Sequence, residues 1–330
     1  MISPQKDLEP TFESAKQAVL AFAQQHMVVD SIEPINADAS FRHYWRISNA
    51  NEKRVVMDSP PSLVDIGPFV QLGNWLADHQ ISVPTMYAQD LNRRFLLLED
   101  LGDTSLYSAL KQQETIALLK KPLDVLVKFT QLSRPDFLTV KTKVILIEEL
   151  KLFDHWCLAK NEYGAKPGDL DSLYELLADS ALHQPQGFVH RDYHSFNIHI
   201  CPNKPDGVGI IDFQDGLWGP ATYDLISLLQ DRYITWPEDE LFGAIEQHRL
   251  DVHSTQSSKD YLQQTLWVGL QRNIRILGVF HRLAMRDNKP VYMNYVPRFA
   301  SYCKMVLQKY PELHQTGAPL LKVIQQAGWS

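Results

Sequence analysis

Phe188-Val189-His190-Arg191-Asp192-Tyr193-His194-Ser195-Phe196-Asn197, followed by Ile210-Ile211-Asp212-Phe213-Gln214-Asp215, is the stretch that decides the fold of this 330-residue chain. Two short apolar runs, Gly187-Phe188-Val189 and Val208 to Ile211, read as strands. They bracket loops that carry two carboxylates and a carboxamide. A rigid scaffold with polar groups at its loop tips is a common way to hold a reacting centre. Asp192 and Asn197 stand five residues apart, and Asp212 fifteen further on. Hard oxygen donors on separate loops suit Mg²⁺, which takes one or two carboxylates together with phosphate oxygens and water. One remaining Asp is then available to orient a substrate hydroxyl and accept its proton.

Outward from this insert the texture differs on the two sides. Upstream, Phe12, Ala15, Val19 and Phe22 lie at helical spacing within residues 11 to 25. Phe41 to Ile47 alternates, with Phe41, Trp45 and Ile47 on one face and Arg42, Tyr44 and Arg46 on the other. Asn49-Ala50-Asn51 is a hairpin turn into a second strand, Arg54 to Met57, which Pro60-Pro61 ends. Pro68 to His79 reads as a helix and Phe95 to Leu98 as a buried strand. The polar stretch Glu99-Asp100-Leu101-Gly102-Asp103 follows as the boundary between lobes. Beyond it, residues 104 to 160, 169 to 180 and 238 to 308 are mostly helical by period. The expected class is α+β: a small mixed lobe with an antiparallel sheet (1–98), a hinge (99–103) and a larger, mostly helical lobe (104–330). The chemistry is expected where lobes meet.

Composition is that of an ordinary globular protein, with 45% apolar and 22% charged residues. Lys and Arg total 32 against 39 Asp and Glu, a net charge of -7 that disfavours a general nucleic-acid or acidic-membrane binder. Cys157, Cys201 and Cys303 form no CxxC pair and no disulfide framework, which points to a reducing compartment. The start, MISPQKDLEP, carries acids and prolines where a signal peptide needs a basic start and an apolar run. A soluble cytoplasmic protein is expected, with a small-molecule substrate and neither nucleic acid, membrane nor an obligate protein partner.

The motif H-R-D-x-x-x-x-N followed by D-F-x resembles the catalytic loop and metal-binding motif of the protein-kinase-like fold. His190-Arg191-Asp192-Tyr193-His194 is similar to its small-molecule branch, the aminoglycoside phosphotransferase family. The resemblance implies a bilobal fold, ATP and Mg²⁺ as cofactors, Asp192 as catalytic base, and Asn197 and Asp212 as metal ligands. Further segments resemble one subgroup of that family, the bacterial anomeric kinases of N-acetylmuramate and N-acetylglucosamine, which serve cell-wall recycling. These are Asp212 to Asp215, Gly219 to Leu225, Ser227 to Arg232, Gln271 to Phe280 and Arg286 to Pro290, so the similarity covers nearly the whole chain. The expected reaction is transfer of the γ-phosphoryl group of ATP to the anomeric hydroxyl of one or both sugars. By the same resemblance Glu99 to Asp103 falls at the family's hinge, with backbone groups near Asp100 and Leu101 facing the adenine.

The nucleotide end departs from the pattern. There is no Walker loop and no G-x-G-x-x-G; Asn36 to Ser40 stands in the glycine-rich position, which makes Ser40 a nucleotide-binding candidate. The strand that delivers a phosphate-pairing lysine reads Val55-Val56-Met57-Asp58, and an acid there would repel a triphosphate. Arg42 and Arg46 are candidate replacements, since guanidinium forks bind phosphate bidentately; two solvated arginines on an edge strand are the competing reading. Gln214, Asp215, Tyr223, Asp231, Arg232, Arg272 and Arg275 are candidate sugar contacts, with surface ion pairs and core packing as the ordinary alternatives. Tyr233 and Trp236 are further rings able to stack on a sugar. His190 is read as a buried structural imidazole and Asp224 as an anchor of the catalytic loop. A zinc cluster of His194, His199 and Cys201 has no partner motif. The rival functions are a phosphotransferase for another hydroxylated metabolite such as an aminoglycoside, a nucleotide-binding pseudokinase, and a metal-dependent hydrolase.

Overall fold

The computed structural model describes residues 12–35, 42–60, 65–90, 95–160 and 162–329. Two compact units emerge. One comprises Met1–Asp103, Asn203–Pro205 and Gly209–Gln214; the other comprises Thr104–Pro202, Asp206–Val208 and Asp215–Ser330. Two short return segments, including Asp212 and Phe213, therefore belong with the N-terminal unit although they follow the boundary at 103 in sequence.

The first unit opens with α1 (Phe12–Ala23), followed by β1 (Ser31–Ile35), β2 (His43–Ser48), β3 (Lys53–Asp58), α2 (Gly67–Asp78), β4 (Met86–Asp90) and β5 (Phe95–Glu99). The strands form an antiparallel sheet in the order β1-β2-β3-β5-β4. Alternation sends Trp45, Ile47, Val56, Phe95 and Leu97 to one face, where Val19, Phe22 and Ala23 of α1 close the core. Leu96 and Leu98 are buried as well, so β5 reads as an unbroken apolar run rather than an alternating one. Against α2, the Phe213 ring lies 4.7 Å from that of Phe69, and the approach at Gly73 is tight, since an added Cβ would lie 3.1 Å from the Phe213 ring. This packing fixes the segment that carries Asp212. Strands β1 and β4 escape the sequence pattern because both are edges: β1 contains Pro34 and is largely exposed, and β4 is interrupted by a bulge between Met86 and Ala88. Ser40, Phe41 and Pro61 lie outside the described residues.

The second unit carries α3 (Leu106–Gln112), α4 (Lys120–Gln131), α5 (Lys143–Trp156), α6 (Asp171–His183), β6 (Gln186–Val189), β7 (Ile198–Ile200), β8 (Val208–Ile210) and β9 (Leu217–Pro220), then α7 (Tyr223–Leu229), α8 (Glu238–Asp251), α9 (Ser258–Met285), α10 (Val296–Lys309) and α11 (His314–Gln326). Residues 209 and 210 of β8 cross into the first unit. Thr142 caps α5 by accepting from the Ile145 N–H, and Ser257 caps α9 by accepting from the Asp260 N–H. The long α9 packs on α5 at very short range: a Cβ on Gly278 would meet the Leu152 carbonyl carbon at 2.5 Å. Strand β6 pairs antiparallel with β9 and delivers the chain into His190. The architecture is the α+β, bilobal, protein-kinase-like one. Among the described residues, no helix is long and apolar enough to cross a membrane.

Candidate active site

Backbone hydrogen bonds account for the shape of the segment from His190 to Asn197. The Asp224 carboxylate, in the first turn of α7, accepts from the N–H groups of His190 (2.5 Å) and Arg191 (3.1 Å). Arg191 is held at φ +76°, a left-handed conformation that a non-glycine residue adopts only when its surroundings impose it. The Asp231 carboxylate accepts from the N–H groups of Ser195 and Tyr233, both at 2.8 Å. Tyr193 donates its hydroxyl to the Pro122 carbonyl, and the Tyr107 N–H donates to the Ser195 carbonyl. Asn197 closes the loop by donating Nδ2 to the Asp192 carbonyl at 2.9 Å. Two buried carboxylates thus hold a loop whose own carboxylate, Asp192, is left for other use. Burial lifts the Asp224 carboxyl to about 7 in spite of its backbone donors.

Asp192 lines a pocket of about 520 Å³, part of it open to solvent, with Arg191, His194, Arg232, Arg272, Arg275, Ile276, Val279, Phe280 and Phe299. The α9 contribution, at 272, 275, 276, 279 and 280, is one helical stripe. Burial works against the Asp192 charge. Arg275, His194, His190 and Arg191 outweigh it and hold the carboxyl below its ordinary value. His194 is pushed the other way: burial depresses its imidazole, against the pull of Asp231 and Asp192. Behind the pocket, Glu149 of α5 pairs with buried Lys141 at 2.8 Å and with Arg191 at 3.2 Å, and stands 3.9 Å from Arg275. Glu149 and Lys141 carry no local motif; only packing of α5 against α9 makes them neighbours of the loop.

The sugar-contact candidates divide. Arg232, Arg272 and Arg275 share the Asp192 pocket. Tyr223 does not face it as a stacking platform: it is fully buried, with the Lys141 ammonium 4.7 Å from its ring centre and its hydroxyl accepting from Arg275. Asp231 is buried and accepts from a backbone amide on each oxygen, which makes it an anchor of the loop. Trp236 is buried in the core. Asp215 is exposed. Exposed Phe196 stacks on Tyr107 (4.3 Å) and meets Tyr233 at a tilt (4.5 Å), a cluster formed from three distant segments. His190 is fully buried, and among the described residues no group of His, Cys, Asp and Glu could hold a metal ion, which removes the His194, His199 and Cys201 cluster.

In the first unit, Arg46 is put to another use than a free phosphate fork. Its guanidinium holds Asp100 bidentately at 2.6 and 3.0 Å and Asp103 at 2.7 Å. Two carboxylates already neutralise that cation. Arg42 sits just ahead of β2, on the alternation face of Tyr44 and Arg46. Asp58 pairs across from His43 and shares the face of Val56, opposite to Arg46. Glu99 accepts from Thr85 N–H and hydroxyl and from Lys204 at 2.6 Å; burial opposes its charge, and these partners still hold its carboxyl below the usual range. Leu101 is half-buried beside Gly102, whose N–H bonds the Asp100 side chain. Asp212 adopts φ +64° and accepts from Gln214 Nε2 at 2.8 Å.

Comparison with known proteins follows the same outline. Residues 31–257 match the model of the phosphotransferase enzyme family. A relative from Pseudomonas aeruginosa named N-acetylmuramate/N-acetylglucosamine kinase is 35% identical over 303 residues, covering 89% of each chain. Among solved structures, a choline/ethanolamine kinase family protein from Mesorhizobium loti aligns with a TM-score of 0.65 at 14% identity, covering 93% of this chain and 98% of its own. LicA, a choline kinase from Streptococcus pneumoniae, aligns in its complex with AMP with a TM-score of 0.58 at 14% identity, over 88% and 98% of the two chains. With residues 31–257 matched and a relative 35% identical over 89% of the chain, the protein belongs to the phosphotransferase enzyme family.

Proposed function

We propose that the protein is an ATP- and Mg²⁺-dependent kinase that phosphorylates the anomeric hydroxyl of N-acetylmuramate, N-acetylglucosamine or both. The carrying observation is Asp192: a carboxylate held below its ordinary pKa, in a pocket it shares with Arg191, Arg232, Arg272 and Arg275, on a loop that Asp224 and Asp231 brace. The 35% identity over 89% of the chain to a kinase named for these sugars supports the acceptor class. In this reading Asp192 accepts the hydroxyl proton as the sugar oxygen bonds the γ-phosphorus, while the bond from that phosphorus to the β-bridging oxygen breaks and ADP leaves. Positioning and electrostatics carry most of such a reaction.

Asn197 and Asp212 are the proposed metal ligands, an assignment that rests on the motif. An amide and a carboxylate are the hard oxygen donors that Mg²⁺ selects. The Asn197 amide fits that role in one respect: its NH₂ end is tied to the Asp192 carbonyl, so its oxygen is the end that would meet a cation. The metal, when bound, neutralises charge on the transferred phosphoryl group. Backbone groups at Asp100 and Leu101 are the proposed adenine contacts, with Ser40 and Arg42 toward the phosphates. A cytoplasmic setting, where ATP is available, agrees with Cys157, Cys201 and Cys303 forming no disulfide.

ADP release from purified protein with ATP, Mg²⁺ and each sugar tests the reading. Asp192→Asn is expected to lower kcat about 10³-fold, within the range of general-base removal, and to leave nucleotide affinity within about threefold. Near-wild-type turnover in that variant would falsify the base assignment. Nucleotide binding without turnover on either sugar or on a panel of other hydroxylated metabolites, aminoglycosides included, marks the chain as a pseudokinase instead.

A further inference from the structure

The arginines of the Asp192 pocket are not equivalent. Arg191 and Arg275 both lean on Glu149. Arg272 is only 5% exposed, and its Nη1 reaches the Gln230 carbonyl and the Asn273 side-chain oxygen at 3.4 Å. Arg232 differs. It is half-buried, and among the described residues no carboxylate lies within ion-pair distance of it. Its guanidinium carbon stands 5.5, 5.4, 5.3 and 5.6 Å from the ring centres of Tyr233, Phe280, Tyr292 and Tyr295. Among the described residues, one of its five N–H donors is engaged, through Nη1 to the Tyr233 hydroxyl at 3.2 Å.

Aromatic faces hold a guanidinium in place without cancelling its charge, unlike a carboxylate partner. The cage also restricts its rotamers, so a ligand that meets it loses little further side-chain freedom. Arg298 fixes the backbone at the same point by donating Nη1 to the Arg232 carbonyl. The result is a positioned cation with spare donors, in the pocket that holds the ionised Asp192. A neutral sugar makes no demand on such a group. A carboxylate side arm does, and a guanidinium fork is its best geometric match.

We infer that Arg232 is the specificity-determining residue of the acceptor pocket and binds the side-arm carboxylate of an acidic amino sugar. The inference rests on the function proposed above and names the acceptor's charged group. It predicts that the acid form of the sugar is favoured over an otherwise identical neutral one, through Arg232 rather than through Arg272 or Arg275.

The test is a cycle between N-acetylmuramate and its side-arm carboxamide, measured on the full-length wild type and on Arg232→Ala. Wild type is expected to lose at least tenfold in kcat/KM from acid to amide, mostly in KM; Arg232→Ala is expected to show less than a twofold difference. Arg232→Lys restores part of the preference, and Arg232→Gln, which keeps a donor for Tyr233, does not. The inference is overturned if Arg232→Ala discriminates acid from amide as wild type does. It is equally overturned if Arg272→Gln removes the preference while Arg232→Ala keeps it, or if Arg232→Ala raises KM for ATP by the same factor with both acceptors. Calorimetric binding of acid and amide to the same proteins decides the point even without turnover. A wild type that binds acid and amide alike sinks this inference, whereas a wild type that prefers the acid but transfers no phosphate sinks only the proposed reaction.

Discussion

At the residue scale, the site depends on carboxylates that differ in surroundings rather than in chemistry. Asp192 is surrounded by cations and stays ionised well below neutral pH, which suits a proton acceptor. Asp224 and Asp231 instead meet backbone N–H groups and set the loop's path. An amide at 231 would offer one acceptor and one donor to two donors. Asp231→Asn is therefore expected to destabilise the protein by about 2 kcal/mol, the cost of one charged hydrogen bond and one stranded N–H. Urea unfolding checks this, with kcat falling alongside as Ser195 and Tyr233 loosen. A loss under about 0.5 kcal/mol would mean that the loop holds itself.

Among the elements, α9 organises the second unit. Its stripe from Arg272 to Phe280 forms one wall of the Asp192 pocket, and Gly278 on another face lets α5 approach until backbone meets backbone. That approach brings Glu149 within reach of Arg275. Gly278→Ala sets two effects against each other. Alanine gains about 1 kcal/mol of helix propensity over glycine. The new methyl meets the backbone of Leu152 and Phe153 at 2.5 Å, and backbone cannot rotate away as a side chain can. Overpacking of this kind costs about 3 kcal/mol, so the net expectation is a loss of about 2 kcal/mol. A lower denaturation midpoint at unchanged m-value is the expected signature. A midpoint at or above wild type would show that α5 shifts freely.

For the molecule as a whole, stability depends on pH through groups far from the chemistry. His248 on α8 is buried, and its Nδ1 lies 2.8 Å from the Tyr261 hydroxyl on α9. Burial depresses its pKa to about 4, against the pull of Asp251. The unfolded chain, with an ordinary imidazole, binds more protons between about pH 4 and 6.5, so stability rises with pH across that window. The contribution is fully present above about 6.5 and is lost as pH falls through 4. It amounts to about 3 kcal/mol, a large share of a typical 5–15 kcal/mol. His248→Gln is expected to flatten the slope of unfolding free energy between pH 4.5 and 6.5, whatever its own offset. An unchanged slope would assign the acid sensitivity elsewhere.

The sequence alone determined the α+β class, the helices α1 and α2, and the H-R-D-x-x-x-x-N loop as a motif. Each is written in short-range pattern: period 2 or 3.6, turn residues, and four polar side chains in fixed order. Edge strands β1 and β4 carried too little apolar alternation to be read. Tertiary structure decided the rest. Tyr223 and Asp231 read as sugar contacts because ring and acid types suit a sugar, but their use was set by what packs around them, a buried ammonium in one case and two backbone amides in the other. Arg46 and Arg232 look alike in sequence; distant acids neutralise the first, and three distant rings together with that of adjacent Tyr233 hold the second without neutralising it. Residue type states what a side chain is able to do. Which of those abilities is exercised depends on neighbours brought from far along the chain, and no local pattern encodes those contacts.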